Sequence, residues 1–103
     1  MEDNNWYSLT HPEDVISPSL LIYPNRIQHN IELMISMRGD VNFLRPHVKT
    51  YKNANIIAMQ MDAGIQKFKC ATIAEAELLG NCKAKDVLLA MQPIGPNTKR
   101  LSL

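Results

Sequence analysis

The sequence predicts a parallel α/β fold. Short apolar runs alternate with helical patterns, and the runs start at Ser19, Val41, Lys67 and Val87, about one βα unit apart. The last of them is apolar without alternation, as a strand covered on both faces requires.

The first strand is expected over Ser19-Leu20-Leu21-Ile22-Tyr23 and ends at Pro24, whose missing N–H costs nothing in the first turn of a following helix. In that helix Ile27, Ile31, Met34 and Ile35 recur at helical spacing and form one buried stripe, leaving Arg26, Gln28, Glu32 and Arg38 to solvent. Gly39 ends it. A second strand is expected from Val41 to Lys49. A second helix follows from Asn53 to Ala63, with Ile56, Ile57 and Met61 inward and Gly64 at its C-terminal cap.

The third run, Lys67 to Ala71, alternates Phe68 and Cys70 with Lys67 and Lys69. Thr72-Ile73-Ala74-Glu75 then reads as a capping box: the Thr72 hydroxyl accepts from the Glu75 N–H and the Glu75 carboxylate returns to Thr72. Val87 to Met91 is the fourth strand, and Gly95-Pro96 opens a last helix. Periodicity leaves two architectures open. A flavodoxin-like sheet is complete at about this length, whereas a (β/α)8 barrel needs about 250 residues and would be present here only in its first four units.

Composition narrows the function classes. Eleven basic and ten acidic residues in 103 leave a net charge of +1, without the basic excess that nucleic acid or an anionic membrane demands. The acidic, polar N-terminus lacks the pattern of a signal peptide, and no apolar run approaches a membrane span, so a cytoplasmic location is expected. Cys70 and Cys82 form no CxxC pair, and Cys70 reads as a free core thiol. With four glycines and no GxGxxG after the first run, no phosphate-cradling loop for a dinucleotide can be built.

The densest polar cluster is Arg45-Pro46-His47-Val48-Lys49-Thr50-Tyr51-Lys52, at the C-terminal end of the second expected strand. Period-two alternation puts Arg45, His47 and Lys49 on one face, where they line an anion-binding site or defend an edge strand. Active sites of α/β folds gather at strand C-termini, which favours the site. A lysine beside other cations and partly removed from water has a lowered pKa and a larger fraction of reactive neutral amine. Arg45 and His47 supply the charge around Lys49, while Lys52 reads as an ordinary solvated lysine.

Three blocks in this chain, Arg45-Pro46-His47-Val48-Lys49-Thr50, Cys70-Ala71-Thr72-Ile73-Ala74-Glu75-Ala76-Glu77, and Val87-Leu88-Leu89-Ala90 with Gly95-Pro96, resemble the N-terminal segment of the D-threonine aldolase and D-serine dehydratase family. This family belongs to the alanine-racemase-like pyridoxal-phosphate barrels. The resemblance implies a partial (β/α)8 TIM barrel of parallel strands, with residues 1–16 as an N-terminal extension and 17–103 as the first, incomplete part of the barrel. It implies that Lys49, and not Lys52, holds pyridoxal phosphate as a Schiff base. Arg45, His47 and, at the barrel mouth, Gln92 are its companions in binding the cofactor. Family members commonly carry His where this chain has Tyr51. The implied activity is that of a lyase on small D-amino acids, by aldol cleavage or by dehydration. The alternatives are an amino-acid racemase of the same superfamily and a truncated noncatalytic fragment. A divalent metal bound by a C-terminal domain beyond residue 103, and a homodimer of the full-length protein, are further implications. The chain alone is then expected to be a fragment and not a competent enzyme.

Overall fold

A computed structural model describes residues 5–102. Residues 1–4 of the expected extension and Leu103 at the end of the expected barrel segment lie outside the described residues. The fold is mixed α/β, with helices α1 (Pro24–Arg38), α2 (Ala54–Asp62), α3 (Ile73–Asn81) and α4 (Pro96–Ser102) and the parallel strands β1 (Lys67–Cys70) and β2 (Asp86–Leu89). Short 3-10 turns occupy Pro12–Asp14, Val41–Phe43 and Val48–Thr50.

Helix α1 follows the expected pattern. Pro24 occupies the first turn, Ile31 is buried with Ile27, Met34 and Ile35 half-buried beside it, and Gly39 closes the helix at φ 83. Its N–H donates to the Ile35 carbonyl at 2.7 Å, a left-handed cap that glycine adopts without the Cβ penalty. At the other end Trp6 meets Tyr23 edge-on at 5.0 Å under the Arg26 guanidinium, and the Tyr23 hydroxyl donates to the Tyr7 carbonyl at 2.6 Å. The N-terminal segment is thereby seated on the start of α1.

Two expected strands do not form. Ser19 to Tyr23 is irregular and carries no ladder, with Leu20 74% exposed. A strand exists by pairing, and among the described residues no neighbour lies alongside this run. Val41 to Lys49 is broken for a different reason. The Asp40 carboxylate accepts from the Asn42 N–H at 2.8 Å and turns the start of the run into a 3-10 turn, and His47 caps a second turn over Val48–Thr50. Pro46 has no N–H to give a ladder. What survives is a single parallel bridge, His47 to Lys69, with the Lys69 N–H donating to the Pro46 carbonyl at 2.8 Å. Regular alternation therefore stops before Lys49.

The expected β1 is present, with Phe68 and Cys70 fully buried and Lys67 and Lys69 half-buried. It pairs with β2 in the register Lys67↔Asp86 to Cys70↔Leu89. Contrary to expectation β2 is not covered on both faces: Val87 and Leu88, opposite Phe68 and Lys69, are both exposed, and Leu89 alone is half-buried against the core. The Pro46-His47 segment, β1 and β2 thus lie side by side, parallel and in sequence order. The core is Val48, Ile57, Ile65, Phe68, Cys70 and Leu79. Cys70 is a free, buried thiol as expected, and burial pushes its pKa up with Glu75 adding to the effect.

Helix α2 starts at Asn53, whose carboxamide oxygen accepts from Asn55 N–H and Ile56 N–H at 2.8 and 3.1 Å. Ile56 and Ile57 are buried as expected, and so is Gln60. Gly64, at φ 105, reverses the chain into β1. No helix among the described residues is long and apolar enough to cross a membrane. Because Phe68 is central to the core, Phe68→Ala is expected to lower unfolding free energy by about 3 to 5 kcal/mol, while Met37→Ala, on the exposed side of α1, changes it by less than about 0.5 kcal/mol. Urea denaturation followed by circular dichroism checks both.

Candidate functional site

Parallel pairing brings three chain segments to one end of the sheet: the Val48–Thr50 turn after the Pro46-His47 bridge, Ala71-Thr72 after β1, and Met91-Gln92 after β2. This is the carboxyl end, where open and closed α/β sheets bind their ligands.

The turn that carries Lys49 is built locally. Val48 is fully buried and anchors it. His47 Nδ1 accepts from the Lys49 N–H at 3.2 Å, and the Val48 carbonyl accepts from the Tyr51 and Lys52 N–H groups at 3.3 and 2.8 Å. The Lys49 side chain is exposed, and among the described residues no carboxylate or other partner engages its ammonium. Lys52 differs, with its Nζ 3.8 Å from Glu75 Oε2. Of the other exposed lysines, Lys83 and Lys99 lie beyond α3 and within α4, and Lys85 precedes β2 at the opposite end of the sheet.

The electrostatic setting expected around Lys49 is not formed among the described residues. Lys49 is not withdrawn from water, and the Arg45 guanidinium is committed elsewhere: its Nη1 donates to Asp86 Oδ1 at 2.7 Å and to the Phe68 carbonyl at 3.1 Å. The pair raises the Arg45 pKa and holds the Asp86 carboxyl below its ordinary value, in each case chiefly through the hydrogen bond. Arg45 therefore ties its segment to β1 and β2. His47, with Nδ1 accepting, keeps its ring proton on Nε2.

Tyr51 turns inward. Its hydroxyl donates to Gln60 Oε1 at 2.6 Å, and burial, reinforced by Cys82, pushes its pKa up to about 12 against the opposing effect of the Gln60 bond. This pair explains the buried Gln60, which has no signal in the local pattern. Gln92 is exposed and lines a hollow of about 200 Å³ with Ala71, Thr72, Leu89, Met91 and Arg100. Arg45, His47 and Lys49 do not line that hollow, so the strand ends bring Gln92 to the same end of the sheet but not into one cavity with them. A larger hollow of about 640 Å³ lies between α3 and α4, off the strand ends.

Glu75 is the residue whose importance local reading understates. Its side chain is 4% exposed, Oε1 accepts from the Ala71 N–H at 3.1 Å, and Oε2 accepts from the Thr72 hydroxyl at 2.8 Å. The Thr72 Oγ1 in turn accepts from the Glu75 N–H at 3.1 Å, completing the expected capping box through the hydroxyl. Burial opposes ionisation of Glu75, but the two hydrogen bonds and the charge of Lys52 outweigh it and set its pKa below the ordinary glutamate value.

No family model matches the chain, and no solved structure matches it. Among curated proteins it is similar to D-threo-3-hydroxyaspartate dehydratase from Delftia sp. (strain HT23), with 36% identity over 77 residues, covering 73% of this chain and 20% of the relative. The chain spans about one fifth of the length of the curated relative it matches.

A group whose pKa is depressed on folding stabilises above its unfolded pKa, and that contribution is lost as pH falls through the folded value. Glu75→Gln is therefore expected to cost about 1 kcal/mol at neutral pH. The gap in Tm between the two proteins should close as pH drops below the ordinary glutamate range. Thermal melts across pH 3 to 7, roughly the span over which carboxylates titrate, test this, and a gap independent of pH would contradict it.

Proposed function

We propose that this chain is the cofactor-carrying part of a pyridoxal-phosphate-dependent lyase acting on small D-amino acids with a β-hydroxyl, and that Lys49 holds the cofactor. The observation that carries the reading is a coincidence at one position. The lysine singled out by the family resemblance also has an exposed, unengaged amine in the turn at the carboxyl end of the parallel lanes, whereas Lys52 is drawn to Glu75 and Lys69 is half-buried within β1. The similarity to a dehydratase of a 3-hydroxy amino acid favours dehydration over aldol cleavage. Sequential order of the three lanes supports a (β/α)8 wall, since a flavodoxin-like sheet would place its first strand between the second and third.

The residues present fit the aldehyde end of the cofactor, because an exposed, unpaired primary amine is what a carbonyl carbon needs to condense with. Pyridoxal phosphate, when bound, supplies an electron sink for a bond broken at the substrate α carbon. In this reading the protein's own groups do the rest. Lys49 Nζ would hold the cofactor through its aldehyde carbon and, as a free amine, would carry a proton on one face of the substrate. His47 fixes the Lys49 backbone through Nδ1 and has its Nε2–H left to donate to a ligand. Arg45, paired with Asp86, holds the height of the segment, and Gln92 offers a carboxamide at the neighbouring strand end.

Incubation of the chain with pyridoxal phosphate, borohydride reduction and peptide mapping tests the assignment. Lys49 is expected to carry the reduced adduct several-fold in excess over Lys52, Lys85 and Lys99, and Lys49→Ala to abolish the selective adduct. Even labelling of all exposed lysines would overturn it.

A further inference from the structure

The Lys49 turn lies at the surface, where a loop with an exposed side chain is ordinarily loose. Its leading side is fixed by the buried Val48 and the His47 bridge. Its trailing side ends at Lys52, which adopts φ 44. A left-handed conformation in a residue other than glycine costs roughly 1 to 2 kcal/mol and persists only where the surroundings over-determine it. Two contacts do so here: the Lys52 N–H donates to the Val48 carbonyl at 2.8 Å, and the Lys52 ammonium lies 3.8 Å from Glu75 Oε2.

Glu75 is a special partner. Among the described residues it is the charged side chain that is buried, and its carboxylate is already fixed by the Ala71 N–H and the Thr72 hydroxyl. An exposed ion pair contributes little because two mobile side chains must be ordered together. With Glu75 fixed beforehand, only Lys52 has to be ordered. Lys52 lies three positions after Lys49, so this ion pair acts on the trailing side of the turn. Capping α3 does not require the pair, since Thr72 Oγ1 already serves the exposed helix N–H.

We propose that Glu75 is a positioning residue for the Lys49 amine, acting through Lys52 to tie the trailing side of the Lys49 turn to the end of β1 and the first turn of α3. This rests on the reading of Lys49 as the cofactor lysine. Glu75 does not touch Lys49; it sets where the turn sits, and so which way the amine is presented to a carbonyl.

The test uses the full chain with Lys52→Met, Lys52→Arg and Glu75→Gln, and two readouts. One is the share of reduced pyridoxal-phosphate adduct on Lys49 relative to Lys99, an internal standard on α4. The other is amide hydrogen exchange at Lys49 and Lys52 by NMR, with Ile57 and Phe68 as core references. Lys52→Met is expected to speed exchange at both turn amides several-fold and leave the core amides unchanged, Glu75→Gln to speed the turn amides by more than the core amides, which follow its global destabilisation, and both to lower the Lys49 share toward that of Lys99. Lys52→Arg should restore wild-type values in both, which a purely steric role for the lysine stem would not require of the charge. If the wild type labels Lys49 selectively and Lys52→Met does so equally, with unchanged exchange at the turn, the positioning role is refuted while the cofactor assignment stands. If the wild type shows no preference for Lys49, the cofactor assignment fails and takes this role with it.

Discussion

β1 is hydrogen-bonded on both edges, and the arrangement of the rest depends on that. The Lys69 N–H reaches the Pro46 carbonyl on one side, and the Cys70 carbonyl accepts from the Ala90 N–H at 2.8 Å on the other. Its alternate residues Phe68 and Cys70 provide the floor on which α2 packs through Ile57, α3 through Leu79, and the connection between α2 and β1 through Ile65. Four residues thus fix both the layer order and the end at which Lys49, Thr72 and Gln92 gather. Parallel pairing requires long connections between neighbours, and α2 and α3 are those connections.

Charge is distributed around this lane to match. Arg45 and Asp86 meet across it on its solvent side, and Glu75 with Lys52 closes its carboxyl end. The first pair binds the flanking segments to β1; the second holds the turn that follows. Both couple residues far apart in the chain, so each resists a different sliding motion of the layers.

Much of this was legible in the sequence because it is local. Pro24 and Gly39 bound α1, Asn53 and Gly64 bound α2, and Thr72 with Glu75 announce α3, since each acts on backbone groups within a few residues. The alternation of Phe68 and Cys70 with lysines also identified β1. The apolar run at Leu20 to Ile22 did not become a strand, because apolarity signals burial and not a neighbour. The Val41 to Lys49 run looked continuous in hydropathy, but Asp40, Pro46 and His47 interrupt it through hydrogen bonding, which hydropathy does not register. Lys49 stood out by family resemblance more than by its surroundings, because the partner of Arg45 is Asp86, on a distant strand. Gln60 and the charge around Glu75 escaped notice for the same reason: their partners are set by packing.

Pro46 shows how a missing atom shifts work from backbone to side chain. Its carbonyl accepts from β1, but its nitrogen has nothing to donate back, so among the described residues the lane keeps one backbone bridge to the sheet, at His47. One rung alone would leave the lane free to pivot. The neighbouring guanidinium of Arg45, reaching both the Phe68 carbonyl and Asp86, supplies the second point of support that the proline cannot.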